Sequence, residues 1–284
     1  MTEHVSWQQL WDETAALHGR VRARWLCEEA SGTFGEEFSE ILAHPVTERS
    51  IAHMDSMLAR LRTGEPLQYV LGHWSFRRLD LLVDRRVLIP RPETEWVAEV
   101  ALGLARSLPR PVLCADLGAG SGAIGLSLLA ELPRGSAEVW LTDVDGEALE
   151  VARANAAGLG IPSAGARFAH GSWFEALPDA ARGRFGLIVS NPPYIAEGDP
   201  AVEPSVVAWE PAGALFSGAE GLDALRILVT GAPSWLQPAG WLVVEIGTSQ
   251  GDAVAALLGA VGFTEVEVRP DLAGHDRVAL GRFV

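Results

Sequence analysis

An α/β domain built on a seven-stranded, mostly parallel sheet, with a small helical domain before it and a β-hairpin linker between the two, is the fold this sequence predicts. Three observations carry the prediction. From about Glu93 onward, short apolar runs of strand length alternate with segments of helical spacing, the pattern of a sheet covered by helices on both faces. The residues before Gly64 show helical periodicity and few strand signals. Between these regions, Trp74 to Pro92 spaces its apolar residues largely by two. At 284 residues the chain exceeds a typical single domain, so one large domain and one smaller one are expected. The expected boundaries are residues 1–72, 73–92 and 93–284.

In the first of these, Trp7, Leu10 and Trp11 repeat at i, i+3, i+4, as do Ala23, Leu26, Cys27 and Ala30 before Gly32 stops the run. From Val46 to Leu61, the residues Ile51, Met54, Leu58 and Leu61 share one helical face. Three to five helices are expected before Gly64-Glu-Pro66 breaks the pattern. The hairpin is expected to use Phe76, Leu79, Leu81, Val83, Val87 and Ile89 on its strands, with Asp84-Arg85-Arg86 as its turn. Strands are then expected at Val112–Ala115, Glu138–Thr142, Ala166–Ala169, Gly186–Ser190, Gly240–Ile246, Thr264–Val268 and Arg277–Phe283. The last two leave no room for a crossover helix, so the final strand should run antiparallel.

Composition narrows the function classes. Hydrophobic residues make up 48% of the chain, ample for a core, yet no apolar stretch has the length of a membrane span. Met1-Thr-Glu-His-Val-Ser-Trp7 lacks the blocks of a signal peptide, so a cytoplasmic protein without membrane contact is expected. Cys27 and Cys114 stand far apart in apolar surroundings and the seven histidines are scattered, so no metal site is expected. The formal charge is -15 and every basic residue is arginine. Such a chain repels a phosphate backbone, and stable nucleic-acid binding is disfavoured. Arg77, Arg78, Arg85, Arg86 and Arg91 form a local exception, readable as a solvated rim or as a docking patch for an acidic or RNA-bearing partner.

Two segments carry chemistry. Asp116-Leu-Gly-Ala-Gly-Ser-Gly122 lies between the apolar run Pro111–Ala115 and the helical stretch Ala123–Ala130. A glycine-rich turn between strand and helix lets a ligand approach the backbone, as nucleotide-like cofactors require. Asp143 ends the next strand about 20 residues beyond Gly122, where a carboxylate can accept from both ribose hydroxyls. Asp145 precedes Gly146 and fits better as a helix N-cap. The loop lacks the Gly-x-Gly-x-x-Gly spacing of a pyrophosphate site and no Gly-Lys-Ser or Gly-Lys-Thr is present. A nucleoside without phosphates is implied, with S-adenosylmethionine the leading candidate. Trp173, after the third strand, either flanks the adenine or packs in the core.

The second segment, Asn191-Pro-Pro-Tyr194, follows the buried-strand run Phe185–Ser190. Methyl transfer from a sulfonium needs an in-line nucleophile, and an amide or aromatic amino nitrogen is a poor one because its lone pair is delocalised. Accepting both N–H groups, through Asn191 Oδ1 and the Pro192 carbonyl, would orient that nitrogen and stabilise developing positive charge. Tyr194 would pack against the planar group or wall the pocket. Open α/β sheets bind ligands at strand C-termini, which weighs this use above a simple Asn-Pro-Pro turn.

Together these residues resemble the HemK-type protein-(glutamine) N-methyltransferases, which methylate the glutamine amide in the Gly-Gly-Gln motif of class I peptide-chain release factors. The matching segments are Gly64-Glu-Pro-Leu-Gln-Tyr-Val-Leu-Gly72, Leu88-Ile-Pro-Arg-Pro-Glu-Thr-Glu95, Asp116 to Gly122, Asn191-Pro-Pro-Tyr-Ile195, Glu210-Pro, Glu245-Ile-Gly and Asp276-Arg-Val. The Ile-Pro-Arg-Pro-Glu-Thr-Glu block is the most discriminating of them.

The resemblance implies a Rossmann-like S-adenosylmethionine-dependent methyltransferase domain of seven strands behind a helical substrate-recognition domain. It also implies cofactor contacts from Gly118, Ala119, Gly120, Ser121, Gly122, Asp143, Trp173 and Asn191, and a glutamine gripped by Asn191, Pro192, Pro193 and Tyr194 as the catalytic group. Ser172 departs from the pattern, since many relatives have an acidic residue there. Release factors are the expected protein substrate, and nothing in the sequence requires more than a monomer. A ribosomal-protein glutamine would reuse the same catalytic residues. Amino-methylation of adenine in DNA needs a basic groove that the charge opposes, and a non-catalytic cofactor-binding protein would have no need of an intact Asn191-Pro-Pro-Tyr194.

Overall fold

The computed structural model describes residues 5–284. The chain divides into two compact units, one ending at Gly72 and the other running from His73 to Val284.

The first unit holds five helices, α1 (Trp7–His18), α2 (Arg20–Ser31), α3 (Gly35–Glu40), α4 (Glu48–Arg62) and α5 (Leu67–Leu71). Ser6 starts α1 through a capping box, in which its hydroxyl accepts from Gln9 N while Gln9 Oε1 accepts from Ser6 N at 2.8 Å. Gly32 ends α2 in the left-handed region. Trp7, Leu26, Phe38, Met54, Met57 and Val70 meet in a buried cluster. Ile51, expected on that face, is exposed near the start of α4. Met57 takes its place, so the buried stripe runs Met54, Met57, Leu58, Leu61, at i, i+3, i+4, i+7.

The second unit opens with an antiparallel hairpin of β1 (His73–Phe76) and β2 (Leu79–Leu82). Phe76 pairs with Leu79, so the turn is Arg77-Arg78 and not the Asp84-Arg85-Arg86 expected from the sequence. Asp84 to Val87 does turn, with Val87 N donating to Asp84 O at 3.0 Å, but outside the ladder. Val83, Val87 and Ile89 are buried all the same. Period-two burial persisted past the hairpin, and the real turn carries none of the Gly or Asn chemistry that marks such turns.

After α6 (Pro92–Ser107), strands and helices alternate: β3 (Val112–Leu117), α7 (Ala123–Glu131), β4 (Ala137–Asp143), α8 (Gly146–Leu159), β5 (Ala166–His170), β6 (Phe185–Ser190), α9 (Pro204–Trp209), α10 (Asp223–Gly231), β7 (Leu236–Glu245), α11 (Gly251–Ala260), β8 (Thr264–Pro270) and β9 (Asp276–Arg282). All seven expected strands are present in one sheet of order β5-β4-β3-β6-β7-β9-β8. The pairs from β5 through to β7 are parallel, and β9 lies antiparallel between β7 and β8, as the missing crossover helix required. β6 is buried at every residue, as expected of a strand covered on both faces. Cys114 in β3 and Cys27 in α2 are buried free thiols, each pushed up to about 12 chiefly by burial. No helix among the described residues is long and apolar enough to cross a membrane.

The sheet order reverses between β3 and β6. The chain builds outward from β3 to β4 and β5, then returns to β6 on the other side. Ligands in open α/β sheets bind at the carboxyl ends of the strands flanking such a switch. The two segments that follow these strands are the glycine-rich turn and Asn191-Pro-Pro-Tyr194.

Candidate active site

A cavity of about 340 Å³ opens at this switch point, within the size range of small-ligand sites. The glycine loop forms one side. Gly118 N and Ala119 N both donate to Thr142 O, at 2.9 and 2.8 Å, which docks the loop on the end of β4. Gly118 and Gly120 adopt positive φ. A Cβ on Gly118 would lie 3.4 Å from the Trp173 ring, so that ring lies close over the loop. Gly122 turns into α7 with φ of 83°, where a side chain would press on Leu126 and Leu141. From α8, Asn155 steadies both neighbours: its Nδ2 donates to Ser121 O at 2.9 Å, and its Oδ1 accepts from Leu82 N at 2.7 Å.

Three aspartates sit in the lining, Asp116, Asp143 and Asp145. Asp116, at the end of β3, accepts from Gly125 N at 2.7 Å. Burial pushes its carboxyl up to about 7 against that hydrogen bond, with the negative charge of Asp143 adding to the rise. Asp143 Oδ2 accepts from Gly120 N and its Oδ1 from Asp145 N, each at 2.9 Å. Its carboxyl too is raised, first by burial, while these N–H groups act in the other direction. Asp145 caps α8 by accepting from Glu147 N at 2.8 Å.

Trp173 is partly buried, lines the cavity beside Ser172, and holds a φ of 45°. A tryptophan in the left-handed region is unusual and costs on the order of 1–3 kcal/mol, the kind of strain that clusters at ligand sites.

At the end of β6, Ser190 Oγ donates to Leu117 O at 2.5 Å, fastening the strand end to β3. Asn191 then enters a chain of hydrogen bonds. Its Nδ2 donates to Thr94 Oγ1 at 3.1 Å, Thr94 Oγ1 donates to Glu245 Oε2 at 2.7 Å, and Tyr194 Oη donates to Glu245 Oε1 at 3.1 Å. Burial raises the Tyr194 phenol, which keeps it a donor. The residues of the tetrapeptide therefore divide. Asn191 and Pro193 line the cavity; Pro192 is buried, and the Tyr194 hydroxyl points at Glu245.

The remaining lining includes Arg86, Val87, Leu88 and Pro90 in one segment and Pro211, Gly213 and Ala214 in another. One buried carboxylate spans them: Glu210 accepts from Ile89 N at 3.1 Å and from Arg91 Nη2. Arg85 lies over the Trp209 ring. Of the residues read from the sequence, Gly118, Ala119, Gly120, Ser121, Asp143, Trp173, Asn191 and Pro193 converge on this cavity, while Gly122, Pro192 and Tyr194 flank its lining residues in the chain. Thr94, Glu210, Glu245 and Asn155 were missed as site residues. Three of these lie inside segments already noticed as signatures, so the signal was present without its chemistry.

Of the five arginines readable as a solvated rim or a docking patch, Arg77, Arg86 and Arg91 are held by acidic partners. Arg77 reaches Glu131 at 2.6 Å and Glu99 at 2.7 Å, Arg86 pairs with Asp84 at 2.6 Å, and Arg91 pairs with Glu210. Only 14% of the Arg77 side chain is exposed, which removes it from any docking surface.

Two family models match the chain: the methyltransferase small domain over residues 103–209 and the PrmC N-terminal domain over residues 16–72. The release factor glutamine methyltransferase of Vibrio cholerae serotype O1 is 44% identical over 234 residues, 82% of this chain and 79% of that protein. The protein of the same name from Geobacter sulfurreducens is 38% identical over 95% of this chain and 92% of that one. Among solved structures, the catalytic domain of hMettl16 in complex with the MAT2A 3'UTR hairpin 6 matches with a TM-score of 0.54 at 15% identity, covering 84% of this chain and 83% of that one. That likeness concerns the fold alone.

Proposed function

The chain belongs to the release factor glutamine methyltransferase family and is an S-adenosylmethionine-dependent protein-glutamine methyltransferase, and from that premise we propose that it methylates the glutamine side-chain amide in the Gly-Gly-Gln motif of class I peptide-chain release factors. The observation that carries the proposal is the carboxamide of Asn191, held at the end of β6 beside the glycine-loop cavity.

The cavity suits S-adenosylmethionine. Its lining includes the carboxyl groups of Asp116 and Asp143, which favour a ligand bearing sulfonium and ammonium charge and no phosphate. Each carboxylate oxygen has two acceptor sites, so Asp143 keeps acceptor capacity for ribose hydroxyls beside its bonds from Gly120 and Asp145. Trp173, beside Ser172, offers a flat apolar face for the adenine. The bound cofactor supplies a methyl group already activated by its sulfonium. Asn191 Oδ1 and the Pro192 carbonyl take the two N–H groups of the glutamine amide, orient its nitrogen and stabilise the positive charge that grows on it. The amide loses one proton to solvent, and no strong base is needed.

Release factors are proteins of the translation machinery, so the enzyme is assigned to the cytoplasm, acting as a monomer. The helical unit ending at Gly72 is assigned to recognition of the protein substrate. The net charge of -15 favours a protein over a nucleic acid as substrate.

The test is incubation with methyl-labelled S-adenosylmethionine and unmodified release factor, followed by peptide mass spectrometry. Label on the Gly-Gly-Gln glutamine is expected. An unlabelled release factor, with cofactor binding shown by calorimetry and label found instead on a ribosomal protein or on DNA, would overturn the substrate. Asp143→Ala should weaken cofactor binding by roughly 30-fold, the equivalent of about 2 kcal/mol for lost hydrogen bonds to a charged acceptor. Its kcat at saturating cofactor should stay within a few-fold of wild type, and titration calorimetry beside steady-state kinetics separates the two effects.

A further inference from the structure

A primary carboxamide has nearly the same shape at both ends, but one end accepts hydrogen bonds and the other donates them. A bound amino group with two N–H donors needs the accepting end of Asn191. Rotation about the terminal torsion of Asn is soft, so some other group must choose the end. We propose that Thr94 and Glu245 are positioning residues: the Glu245 carboxylate fixes the direction of the Thr94 hydroxyl, and that hydroxyl fixes which end of the Asn191 amide faces the substrate. The inference rests on the glutamine-amide reading of the site given above.

The geometry allows one consistent assignment while Glu245 is ionised. A carboxylate only accepts, so the single Thr94 proton goes to Oε2 at 2.7 Å. Thr94 then offers Asn191 nothing but lone pairs, and the amide must turn Nδ2 toward it, as found at 3.1 Å. Oδ1 is left on the other side of the amide. Tyr194 Oη occupies the second carboxylate oxygen at 3.1 Å, so Glu245 is held from two elements at once. The chain joins residues 97 and 151 positions apart in sequence, and its Thr94–Glu245 link is buried, where a misdirected hydrogen bond is costly.

The same chain has a second consistent state. A protonated Glu245 can donate to Thr94, whose own proton then swings to Asn191; the amide reverses and presents N–H groups to the substrate's N–H groups. Several neighbouring groups set when this occurs. Burial dominates and pushes Glu245 up to about 7; the hydrogen bonds from Thr94 on α6 and from Tyr194, together with Arg277 on β9, act in the opposite direction, while Glu93 on α6 adds to the rise. Because the active form is the ionised one, turnover should be full above that range and fall as the pH drops through it.

The experiment compares wild type, Thr94→Val, Thr94→Ser and Glu245→Gln for labelling of release-factor glutamine, with cofactor affinity and melting temperature measured on each. Thr94→Val keeps the shape and deletes the hydroxyl. Its kcat should drop about 10- to 100-fold, the size of one mis-set buried hydrogen bond, with cofactor Kd unchanged, and Thr94→Ser should restore most of the rate. Wild type should lose rate on acidification below about pH 7, and Glu245→Gln should lose that limb. Thr94→Val turning over like wild type, Thr94→Ser failing to rescue, or Glu245→Gln sharing the wild-type pH profile each overturns the inference. Wild type that leaves glutamine unlabelled instead overturns the substrate reading, so the two failures are distinct.

Discussion

Asn191→Ala is expected to lower kcat for glutamine methylation by about 10²- to 10³-fold, the loss seen when one preorganised charge-stabilising group is removed from an active site. Cofactor affinity should change far less, since the glycine loop, Asp143 and Trp173 line the cavity independently of this side chain. The loss should exceed that of Thr94→Val, because alanine deletes the accepting atom while valine only frees it to point the wrong way. It should appear in kcat as well as in kcat/KM, as for an interaction that strengthens in the transition state. Stopped-time labelling at saturating release factor measures it, and normal turnover by the variant would remove the amide clamp from the mechanism.

The second large effect is on stability. Arg77→Met should destabilise the second unit by about 3 kcal/mol, as expected when one partner of a largely buried ion pair is deleted. Glu131, with 5% of its side chain exposed, would lose the guanidinium that now meets it at 2.6 Å and keep only the exposed Arg78, at 3.7 Å. Arg77 Nη1 also donates to Glu95 O at 3.1 Å, so the hairpin tip would lose its side-chain bonds to α6 and to the end of α7 and keep only the backbone bond from Arg77 N to Glu95 Oε1 on α6. Urea unfolding monitored by tryptophan fluorescence measures the change, and a midpoint like that of wild type would refute it.

The pH dependence follows from the same pair. The Arg77 guanidinium holds the Glu131 carboxyl below its ordinary range. Its contribution is therefore full above that range and is lost as the pH falls through the depressed value. The variant should lack this acid-sensitive part of the stability curve. Reversing Arg77, Arg78, Arg85 and Arg86 to glutamate would accordingly report on folding before it reported on docking.

Legibility in the sequence tracked the range of the interactions involved. The central strands were readable because parallel strands covered on both faces are nearly continuous apolar runs, as Phe185 to Val189 is, and the outer ones because helical stretches or turns bound them. The glycine turn and Asn191-Pro-Pro-Tyr194 were readable because each is a local motif at a strand end. The hairpin turn was misplaced because Arg77 is held at a φ of 53° by acidic partners from α6 and α7, which no turn propensity encodes. Thr94 and Glu245 were invisible as a pair for a similar reason: a hydroxyl near the start of α6 and a carboxylate at the end of β7 have no mutual signature until the sheet brings them to 2.7 Å.

The place of β9 has a consequence for synthesis. It fills the slot between β7 and β8, yet it is made after both. While residues 276–282 are still within the ribosome, β7 presents an unpaired edge flanked by the buried Leu242, Val243 and Val244. Such an edge is a template for pairing with other chains. The nascent enzyme thus passes through an interval in which both halves of its cofactor cleft have been made while its sheet is still open to aggregation, and chaperone contact during translation would be most useful there.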